Sequence, residues 1–403
     1  MLSQAVILCG GLGTRLGKLT NDAPKPLLPV SGRPFLDHLI QEVARYDVRR
    51  ITLIAGRFGD MIATAYDGRR IHGAEIEALI EPAPAGTAGA LRFAAERLAG
   101  EFLLMNGDSW IDADLVGVVR AWEAARSEDP AVLVQLLLQH APDAGRFGAV
   151  SLSVPGSKAG KVAAFREKST STAGMPGWIN AGVYVLDRAL IQKIPALGPA
   201  SLEIDVLPAL AAQGLVCGVA AKKGSYFIDI GVPEAFERAQ AEVPRHRTRP
   251  ALFLDCDSAL NVDRGGAPKV EGLEWRAEAR EAIAFANDRG WFVFVVANQA
   301  GVAQGHYDVE RFHAAMQADL WAVGGHVDAF GGPSGRRRAP DPGLIEDLLA
   351  EWPVDRSRSL MIGGQESDIQ AAAASGLRGV LYKRGSLLDL LRDVMGEGRD
   401  VDQ

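Results

Sequence analysis

Residues 5–16 have the sequence AVILCGGLGTRL, in which a short apolar run is followed at once by a glycine-rich loop. The apolar run predicts a buried strand, and glycines let backbone amides approach phosphate oxygens. Two common phosphate loops do not fit. Counted from Gly11, the last position of a GxGxxG fingerprint is Leu16, and the pair Gly17-Lys18 lacks the first glycine and the hydroxyl residue of a P-loop. The stretch therefore predicts a phosphate-binding loop of another type.

Two basic side chains accompany this loop. Arg15 lies inside it, and Lys25 follows in the stretch Pro24-Lys25-Pro26-Leu27. A glycine-rich turn with two solvated charges is the ordinary alternative, but the downstream Pro-Lys-Pro favours phosphate binding.

Composition limits the class of protein. The chain has 403 residues, a formal net charge of −7 and 48% hydrophobic residues, as expected of a globular protein with two or three domains. The acidic balance argues against general nucleic-acid binding, because phosphate backbones require a positive surface. The three dispersed cysteines, the lack of an 18-residue apolar run and the lack of a basic leader predict a cytoplasmic protein without disulfides, membrane span or signal peptide.

The order of strands and helices predicts an α/β protein with two domains. Short apolar runs alternate with amphipathic stretches over residues 1–240, which predicts a largely parallel sheet covered by helices. Residues 243–250 are polar, basic and bracketed by prolines, and they predict a linker between a first domain (1–242) and a second (251–403). The predicted strands are Ala5–Leu8, Ile51–Ala55, Ile76–Ile80, Phe102–Met105 and Val132–Leu138 in the first domain, and Ala251–Leu254, Trp291–Val296 and Leu360–Ile362 in the second.

Two acidic residues follow predicted strands of the first domain. Asp108 ends the stretch Met105-Asn106-Gly107-Asp108, and Asp229 lies in Phe227-Ile228-Asp229-Ile230-Gly231. Ligands bind beyond the carboxyl ends of strands in an open parallel sheet, and Mg²⁺ takes one or two protein carboxylates while keeping several waters. Both acids are therefore candidate Mg²⁺ ligands, with a turn aspartate as the alternative for Asp108.

The motifs of the first domain resemble those of sugar-1-phosphate nucleotidylyltransferases. The segments that occur in that family's order are Gly10–Leu16, Pro24–Leu27, Gly86–Gly89, Asn106–Asp108, Glu167-Lys168, Asn180–Gly182 and Asp229–Gly231. Within the family the sequence is most similar to D-glycero-D-manno-heptose 1-phosphate guanylyltransferases, with mannose-1-phosphate and muramate-phosphate enzymes as close neighbours. The resemblance implies a Rossmann-like, GT-A-like domain with a mixed sheet.

The resemblance also implies a reaction and its residues. The oxygen of a sugar 1-phosphate attacks the α-phosphorus of an NTP, GTP being favoured, and expels pyrophosphate. The implied nucleotide-binding residues are Gly10, Gly11, Gly13, Thr14, Gly86 and Thr87. The implied catalytic residues are Arg15, Lys25 and Asp108, and the implied Mg²⁺ ligands are Asp108 and Asp229. The implied sugar-phosphate-binding residues are Glu167, Lys168 and Asn180, with Arg146 a weaker candidate. Surface charges and a turn amide are the ordinary alternatives for the sugar-phosphate set.

The second domain carries Asp255-Cys256-Asp257 at the end of a predicted strand, where a DxD pair can supply a nucleophilic carboxylate and a general acid. With the segments around Asn298, Pro340 and Asp368, residues 251–390 resemble haloacid-dehalogenase (HAD) phosphatases, specifically heptose 1,7-bisphosphate phosphatases. The resemblance implies a second doubly wound α/β domain. Its remnant site would comprise Asp255, Asp257, Asn298 and Asp368.

Four positions of the phosphatase pattern have lost their polar side chains. Two hydroxyl residues, a lysine and a Mg²⁺-binding aspartate are replaced by Ala297, Ala259, Ala339 and Gly364, respectively. No cysteine follows Cys256, so the zinc loop common in those enzymes is absent from the sequence. A nucleophilic carboxylate and a phosphate dianion repel each other unless a metal and a cation intervene. We therefore expect an inactive phosphatase domain, with Asp368 or Glu366 as alternative metal ligands.

Three functions stay open on the sequence alone. The first is a transferase that makes a nucleotide-activated sugar, GDP-heptose being favoured, for a surface glycan. The second is a bifunctional enzyme whose active phosphatase trims heptose 1,7-bisphosphate to the 1-phosphate. The third is a sugar-nucleotide-binding regulator without turnover, which the set Arg15, Lys25, Asp108 and Asp229 disfavours. Mannose-1-phosphate guanylyltransferase and uridylyltransferase activities also stay open, as does a homo-oligomeric state.

Overall fold

The computed structural model describes residues 2–11, 13–146, 148–166, 174–261, 274–296, 309–331 and 340–396. The chain divides into two compact units, Met1–His246 and Arg247–Gln403. Within the described ranges, none of the helices combines the length and the apolar character that crossing a membrane requires.

The elements of the first unit alternate along the chain. The strands are β1 (Gln4–Leu8), β2 (Pro29–Val30), β3 (Arg33–Pro34), β4 (Arg50–Ala55), β5 (Arg70–Ile71), β6 (Ala74–Ile80), β7 (Glu101–Asn106), β8 (Ser109–Ile111), β9 (Val134–Ala141), β10 (Ala149–Leu152), β11 (Ala159–Arg166), β12 (Gly177–Asp187), β13 (Val216–Ala220) and β14 (Phe227–Asp229). The helices are α1 (Phe35–Ala44), α2 (Gly59–Tyr66), α3 (Gly86–Phe93), α4 (Leu115–Glu128), α5 (Leu207–Ala212) and α6 (Pro233–Arg247).

The main sheet of this unit is mixed, as the resemblance implies. The largely parallel sheet predicted from the alternation of apolar runs and amphipathic stretches is wrong, because antiparallel strands such as β12 lie between the others. The strand order of the main sheet over the described residues is β10-β11-β13-β9-β12-β7-β1-β4-β6-β5. The neighbours β7, β1, β4 and β6 are parallel, whereas β12 is antiparallel to both β7 and β9. Strand β1 has β4 on one side and β7 on the other, so the loops after β1 and β7 meet where ligands bind in open α/β sheets.

Burial explains why these segments become strands and helices. Ala5, Val6 and Ile7 of β1 are completely buried, as expected of a parallel strand with both faces covered. The apolar positions of α1 recur at helical spacing and bury Phe35 and Leu39 fully. The central strands and helices therefore form from apolar patterns that the sequence shows directly.

The segment predicted to be a linker differs from the expectation. Helix α6 runs through its first five residues, 243–247, and has Pro244 inside it. Proline usually weakens a helix interior, because it lacks the backbone N–H. Here the buried side chain of Val243 lies within the helix, which favours its continuation. The two units meet in sequence between His246 and Arg247.

The second unit is a doubly wound α/β fold, as predicted. Its strands are β15 (Ala251–Asp255), β16 (Phe292–Val296), β17 (Ala329–Gly331), β18 (Leu360–Gly363) and β19 (Arg378–Leu381), and its helices are α7 (Ala279–Asp288), α8 (Val309–Val323), α9 (Gly343–Glu351), α10 (Glu366–Ala374) and α11 (Leu387–Val394). The described strands are parallel in the order β17-β16-β15-β18-β19. Alternation along β15 sends Leu252 and Leu254 to one apolar core and Phe253 to the other.

Candidate active site

The candidate site lies at the carboxyl ends of β1 and β7. The backbone N–H of Gly107 donates to the carbonyl oxygen of Leu8 over 2.9 Å, which joins the two loops. A Cβ atom at position 107 would lie 2.4 Å from that oxygen, so this close approach requires glycine. Gly13 has a φ of +64°, and the Thr20 hydroxyl donates to its carbonyl oxygen over 3.0 Å. The glycine loop is therefore held in a turn that opens towards β7.

Four charged side chains predicted from the sequence come together there. The ammonium of Lys25, which is almost buried, donates to Asp108 Oδ2 over 2.7 Å. A Cβ atom built on Gly231 would lie 2.7 Å from Asp229 Oδ1, 3.0 Å from an Arg15 guanidinium nitrogen and 3.4 Å from Lys25 Nζ. One point therefore has both cations and a carboxylate around it.

The surroundings of Asp229 favour the neutral form of its carboxyl group. Burial, followed by the negative charge of Asp108, raises the pKa of the Asp229 carboxyl, although Lys25 and Arg15 act in the opposite direction. The backbone N–H of Gly231 also donates to Asp229 Oδ1 over 2.6 Å. Two neighbouring carboxylates thus share a partly buried region with two cations.

A cavity of about 340 Å³ opens beside this cluster. Its lining includes the predicted nucleotide-binding residues Gly10, Gly11, Gly86 and Thr87, together with Lys25 and Asp108. Gly86 has a φ of +76°, and a Cβ atom there would lie 2.4 Å from the carbonyl oxygen of Ala200. Arg15 and Asp229 instead line an adjacent cavity of about 310 Å³. Thr14 starts the short helical turn Thr14–Thr20 that follows the glycine loop.

The side chains of two predicted site residues, Thr87 and Asn180, form hydrogen bonds with other side chains of the first unit. The Thr87 hydroxyl donates to Glu203 Oε2 over 2.8 Å. The Asn180 amide donates to the Tyr184 hydroxyl over 2.6 Å. Glu167, Lys168 and the side chain of Arg146 lie outside the described residues.

Glu81 is a site residue that the motif analysis missed. It lines the 340 Å³ cavity directly after β6, and its Oε1 atom is buried without a hydrogen-bond partner among the described residues. Burial raises the pKa of this carboxyl, while a hydrogen bond from the Ala85 backbone lowers it. The available signal was its position at the carboxyl end of a parallel strand, the same signal that indicated Asp108.

The second unit has its own cluster at the ends of β15 and β18. Asp255 ends β15, and both the backbone N–H, over 2.7 Å, and the hydroxyl of Ser258 donate to its Oδ2 atom. The Ser258 hydroxyl also accepts from the backbone N–H of Gly364 over 2.7 Å. A Cβ atom at Gly364 would lie 2.5 Å from Ser258 Cβ. Ser258 therefore fills the space in which a side chain at position 364 would stand.

The remaining predicted residues of that unit are arranged as follows. Asp368 is buried and accepts from the backbone N–H of Gln365 over 2.9 Å, as part of the cap of α10. Lys383 donates to the carbonyl oxygen of Gly364 over 2.6 Å. Asp257 is half-buried two residues after Asp255. Asn298, Ala297 and Ala339 lie outside the described residues.

The comparison with protein families decides the assignment of the first unit. A family described as nucleotidyl transferase matches residues 4–246, which is more than half of the chain. The chain belongs to the nucleotidyl transferase family. A second family, described as HAD-hydrolase-like, matches residues 336–392.

Relatives of this nucleotidyl transferase cover the two units separately. A mannose-1-phosphate guanylyltransferase of Mycobacterium tuberculosis is 34% identical over 60% of the chain. The matched part covers 65% of that relative. A D-glycero-alpha-D-manno-heptose 1-phosphate guanylyltransferase of Aneurinibacillus thermoaerophilus is 30% identical over 60% of the chain and 99% of the relative. A D-glycero-beta-D-manno-heptose-1,7-bisphosphate 7-phosphatase of Rhodopseudomonas palustris is 34% identical over 40% of the chain and 89% of the relative.

Nucleotidyl transferases and HAD-like enzymes generally use divalent metals, and the two clusters differ in how well they suit one. In the nucleotidyl transferase unit, Asp108 and Asp229 supply carboxylate oxygens, which Mg²⁺ prefers, and a bound cation offsets their mutual repulsion. In the HAD-like unit, Ser258 already donates to Asp255, and position 364 carries no carboxylate. The first cluster suits a divalent metal ion better than the second, in which Asp257 and Asp368 are the other carboxylates near Asp255.

Proposed function

We propose that this nucleotidyl transferase moves a guanylyl group from GTP to a sugar 1-phosphate and releases pyrophosphate. The observation that carries the proposal is the convergence of Arg15, Lys25, Asp108 and Asp229 beside the 340 Å³ cavity. In this reaction an oxygen of the sugar phosphate forms a bond to the α-phosphorus, and the bond from that phosphorus to the bridging oxygen of pyrophosphate breaks. The protein's contribution is to align the two phosphates and to neutralise their charge.

The proposed roles follow from where each group lies. In this proposal the amides of Gly10, Gly11, Gly13 and Thr14 and the Arg15 guanidinium would bind the triphosphate, and Lys25 would stabilise charge at the α-phosphate. Asp108 and Asp229 would hold Mg²⁺, which when bound neutralises phosphate oxygens. Because Lys25 already pairs with Asp108, its ammonium is positioned before any nucleotide arrives.

Glu81 supports guanine as the base. An ionised carboxylate accepts hydrogen bonds only, and the Watson–Crick edge of guanine offers two adjacent donors, N1–H and the N2 amino group. Uracil and thymine offer one N–H between two carbonyl oxygens, and those oxygens repel a carboxylate. Glu81 lines the cavity, and its Oε1 atom has no hydrogen-bond partner among the described residues, so this side chain suits guanine best.

The favoured sugar is D-glycero-D-manno-heptose, with mannose as the second candidate. The two guanylyltransferase relatives differ in their sugar. The relative of the HAD-like unit acts on a heptose bisphosphate, so similarity to heptose enzymes occurs in both units. This pairing supports heptose as the sugar.

The experiment is a matrix of the four NTPs against heptose, mannose, glucose and N-acetylglucosamine 1-phosphates, with pyrophosphate release as the readout. We expect the highest kcat/KM with GTP and heptose 1-phosphate. Glu81→Gln should lower kcat/KM for GTP by about tenfold or more and reduce the preference over UTP. Glu75→Gln, on the same strand but exposed, is the matched control and should leave the matrix unchanged. An unchanged base preference in Glu81→Gln would contradict the role of Glu81.

We also propose that the HAD-like unit lacks phosphatase activity. The contacts of Ser258 with Asp255 and with the Gly364 backbone support this, because they engage the Oδ2 atom of the candidate nucleophile and fill the space of a side chain at position 364. Heptose 1,7-bisphosphate incubated with the chain and Mg²⁺ should release no phosphate above the rate of the Asp255→Asn variant. Phosphate release that disappears in Asp255→Asn would instead establish a bifunctional enzyme.

A further inference from the structure

A continuous row of side-chain hydrogen bonds connects the nucleotide cavity with Asn180. At one end, Thr87 lines the cavity and its hydroxyl donates to Glu203 Oε2 over 2.8 Å. The Tyr184 hydroxyl donates to Glu203 Oε1 over 3.4 Å. At the other end, the Asn180 amide donates to that tyrosine hydroxyl over 2.6 Å. Glu203 is therefore the common partner of two residues that belong to different predicted subsites.

The direction of every hydrogen bond in this row is fixed. The backbone N–H of Leu202 donates to Thr87 Oγ1 over 2.7 Å, so the hydroxyl hydrogen is left for Glu203. The Tyr184 hydroxyl accepts from Asn180 and likewise has its hydrogen left for Glu203. The Ser201 hydroxyl is a third donor to Glu203, over 3.1 Å. Three side-chain donors therefore converge on the two carboxyl oxygens of Glu203.

The row also determines how Asn180 presents its amide. Its Oδ1 atom accepts from the backbone N–H of Gly182 over 3.0 Å, while its Nδ2 atom donates to Tyr184. Tyr184 is completely buried, and burial raises the pKa of its hydroxyl well above the usual range, so it stays a donor at neutral pH. The second N–H of Asn180 has no acceptor within the described ranges.

We infer that Glu203 is a positioning residue that couples the nucleotide and sugar-phosphate subsites. The inference rests on the proposed function, in which Thr87 lies on the nucleotide side and Asn180 on the sugar side. Glu203 itself does not line the cavity, so it acts through the side chains that it orients. A glutamine at this position would place its amide NH2 group opposite one of the two hydroxyl donors. That hydrogen bond would be lost, because both groups are donors.

The test is a set of initial-rate grids with GTP and heptose 1-phosphate, or mannose 1-phosphate where it is the faster substrate. Glu203→Gln should raise the KM for both substrates by about tenfold, because hydrogen bonds to a charged group are lost on both sides. Thr87→Val should raise the KM for the sugar phosphate in the wild-type background, although Thr87 lies on the nucleotide side. In the Glu203→Gln background the same substitution should have no further effect on that KM.

The controls separate positioning from general damage. Asp205→Asn changes an exposed carboxylate of the same segment, which accepts from the Ser201 backbone over 2.7 Å, and should leave both KM values unchanged. Should Glu203→Gln fail to fold, Tyr184→Phe cuts the row at one hydroxyl and keeps the buried ring. It should raise the KM for the sugar phosphate and abolish the effect of Thr87→Val on it.

The outcomes distinguish the two levels of the proposal. A wild-type chain that releases no pyrophosphate with any substrate pair would end the proposed function and this inference with it. An active wild-type chain in which Thr87→Val acts equally with and without Glu203, or does not touch the KM for the sugar phosphate, would overturn the coupling role alone.

Discussion

The charge of Lys25 requires Asp108 as a partner, because the Lys25 side chain is nearly buried. The Lys25 side chain is 8% exposed and the Asp108 side chain 33%, and their charged atoms are 2.7 Å apart. Removing either partner leaves an uncompensated charge in a partly buried place, which costs several times more than an exposed pair is worth. At this residue scale, the pair links folding of the loop to charge neutralisation of a substrate.

The first prediction concerns that pair. Asp108→Asn should lower kcat for pyrophosphate release by about a hundredfold or more, because the proposed metal ligand and the partner of Lys25 are lost together. Asp60→Asn, an exposed aspartate in the first turn of α2, is the control and should retain full activity. Undiminished turnover by Asp108→Asn over a range of Mg²⁺ concentrations would remove Asp108 from the metal site.

The second prediction is a pH dependence of stability at Asp255. Burial raises the pKa of this carboxyl to about 6, although the hydrogen bonds from Ser258 lower it. The folded state therefore binds more protons than the unfolded chain between pH 4 and pH 6. The contribution of Asp255 to the free energy of unfolding is therefore largest below this window and falls as the pH rises through it, by on the order of 2–3 kcal/mol.

Asp255→Asn removes this titration and so tests the sign. In urea unfolding of the full chain, the variant should gain stability relative to wild type when the pH is raised from 4.5 to 7.5. A stability difference that is the same at both pH values, or that grows in the other direction, would show that Asp255 is not held by burial in this way.

At the scale of an element, the turn between β18 and α10 is packed so tightly that it leaves no space for further side chains. The backbone N–H of Gly364 donates to Ser258, and Gly363 and Gly364 leave no room for a Cβ atom beside Asp368 and Ser258. Ser258 and Gly364 are therefore matched in volume. The third prediction is that Gly364→Asp, which restores the metal-binding residue type, lowers the melting temperature of the chain because the new side chain collides with Ser258.

The double variant Ser258→Gly with Gly364→Asp completes that test. It should recover much of the lost stability, and Mg²⁺ should raise its melting temperature while leaving that of Gly364→Asp unchanged. Additive destabilisation by the two substitutions would show that the two positions do not compete for space.

Eight strands were predictable from the sequence, whereas β10 to β13 and the partnerships between the elements were not. The strands around Ile7, Leu53 and Phe253 follow from apolar runs of the right length, and the site acids follow from their place after such runs. Glu203 meets Thr87 only because the fold brings together residues 116 positions apart. Ser258 meets Gly364 across 106 positions in the same way. No local pattern encodes contacts of that kind.

At the scale of the whole molecule, the helix at the unit boundary decides where the chain can be divided. Composition places the boundary at residue 242, but α6 continues to Arg247, with Val243 completely buried. The His246 ring stacks on Tyr226 with ring centroids 4.0 Å apart, and Tyr226 in turn lies against Trp110 beside β14. Residues 243–246 therefore belong to the unit that carries Asp229.

The fourth prediction compares two truncated chains. A chain of residues 1–247 should keep the kcat and KM of the full chain for nucleotidyl transfer, because every residue assigned to that site lies within it. A chain of residues 1–242 should melt several degrees lower, since it loses a buried valine and an aromatic contact, and each such loss costs about 1–3 kcal/mol. Circular dichroism melts and pyrophosphate release measure both effects. Equal melting temperatures for the two chains would place the structural boundary at residue 242, and loss of activity in residues 1–247 would show that transfer needs the HAD-like unit.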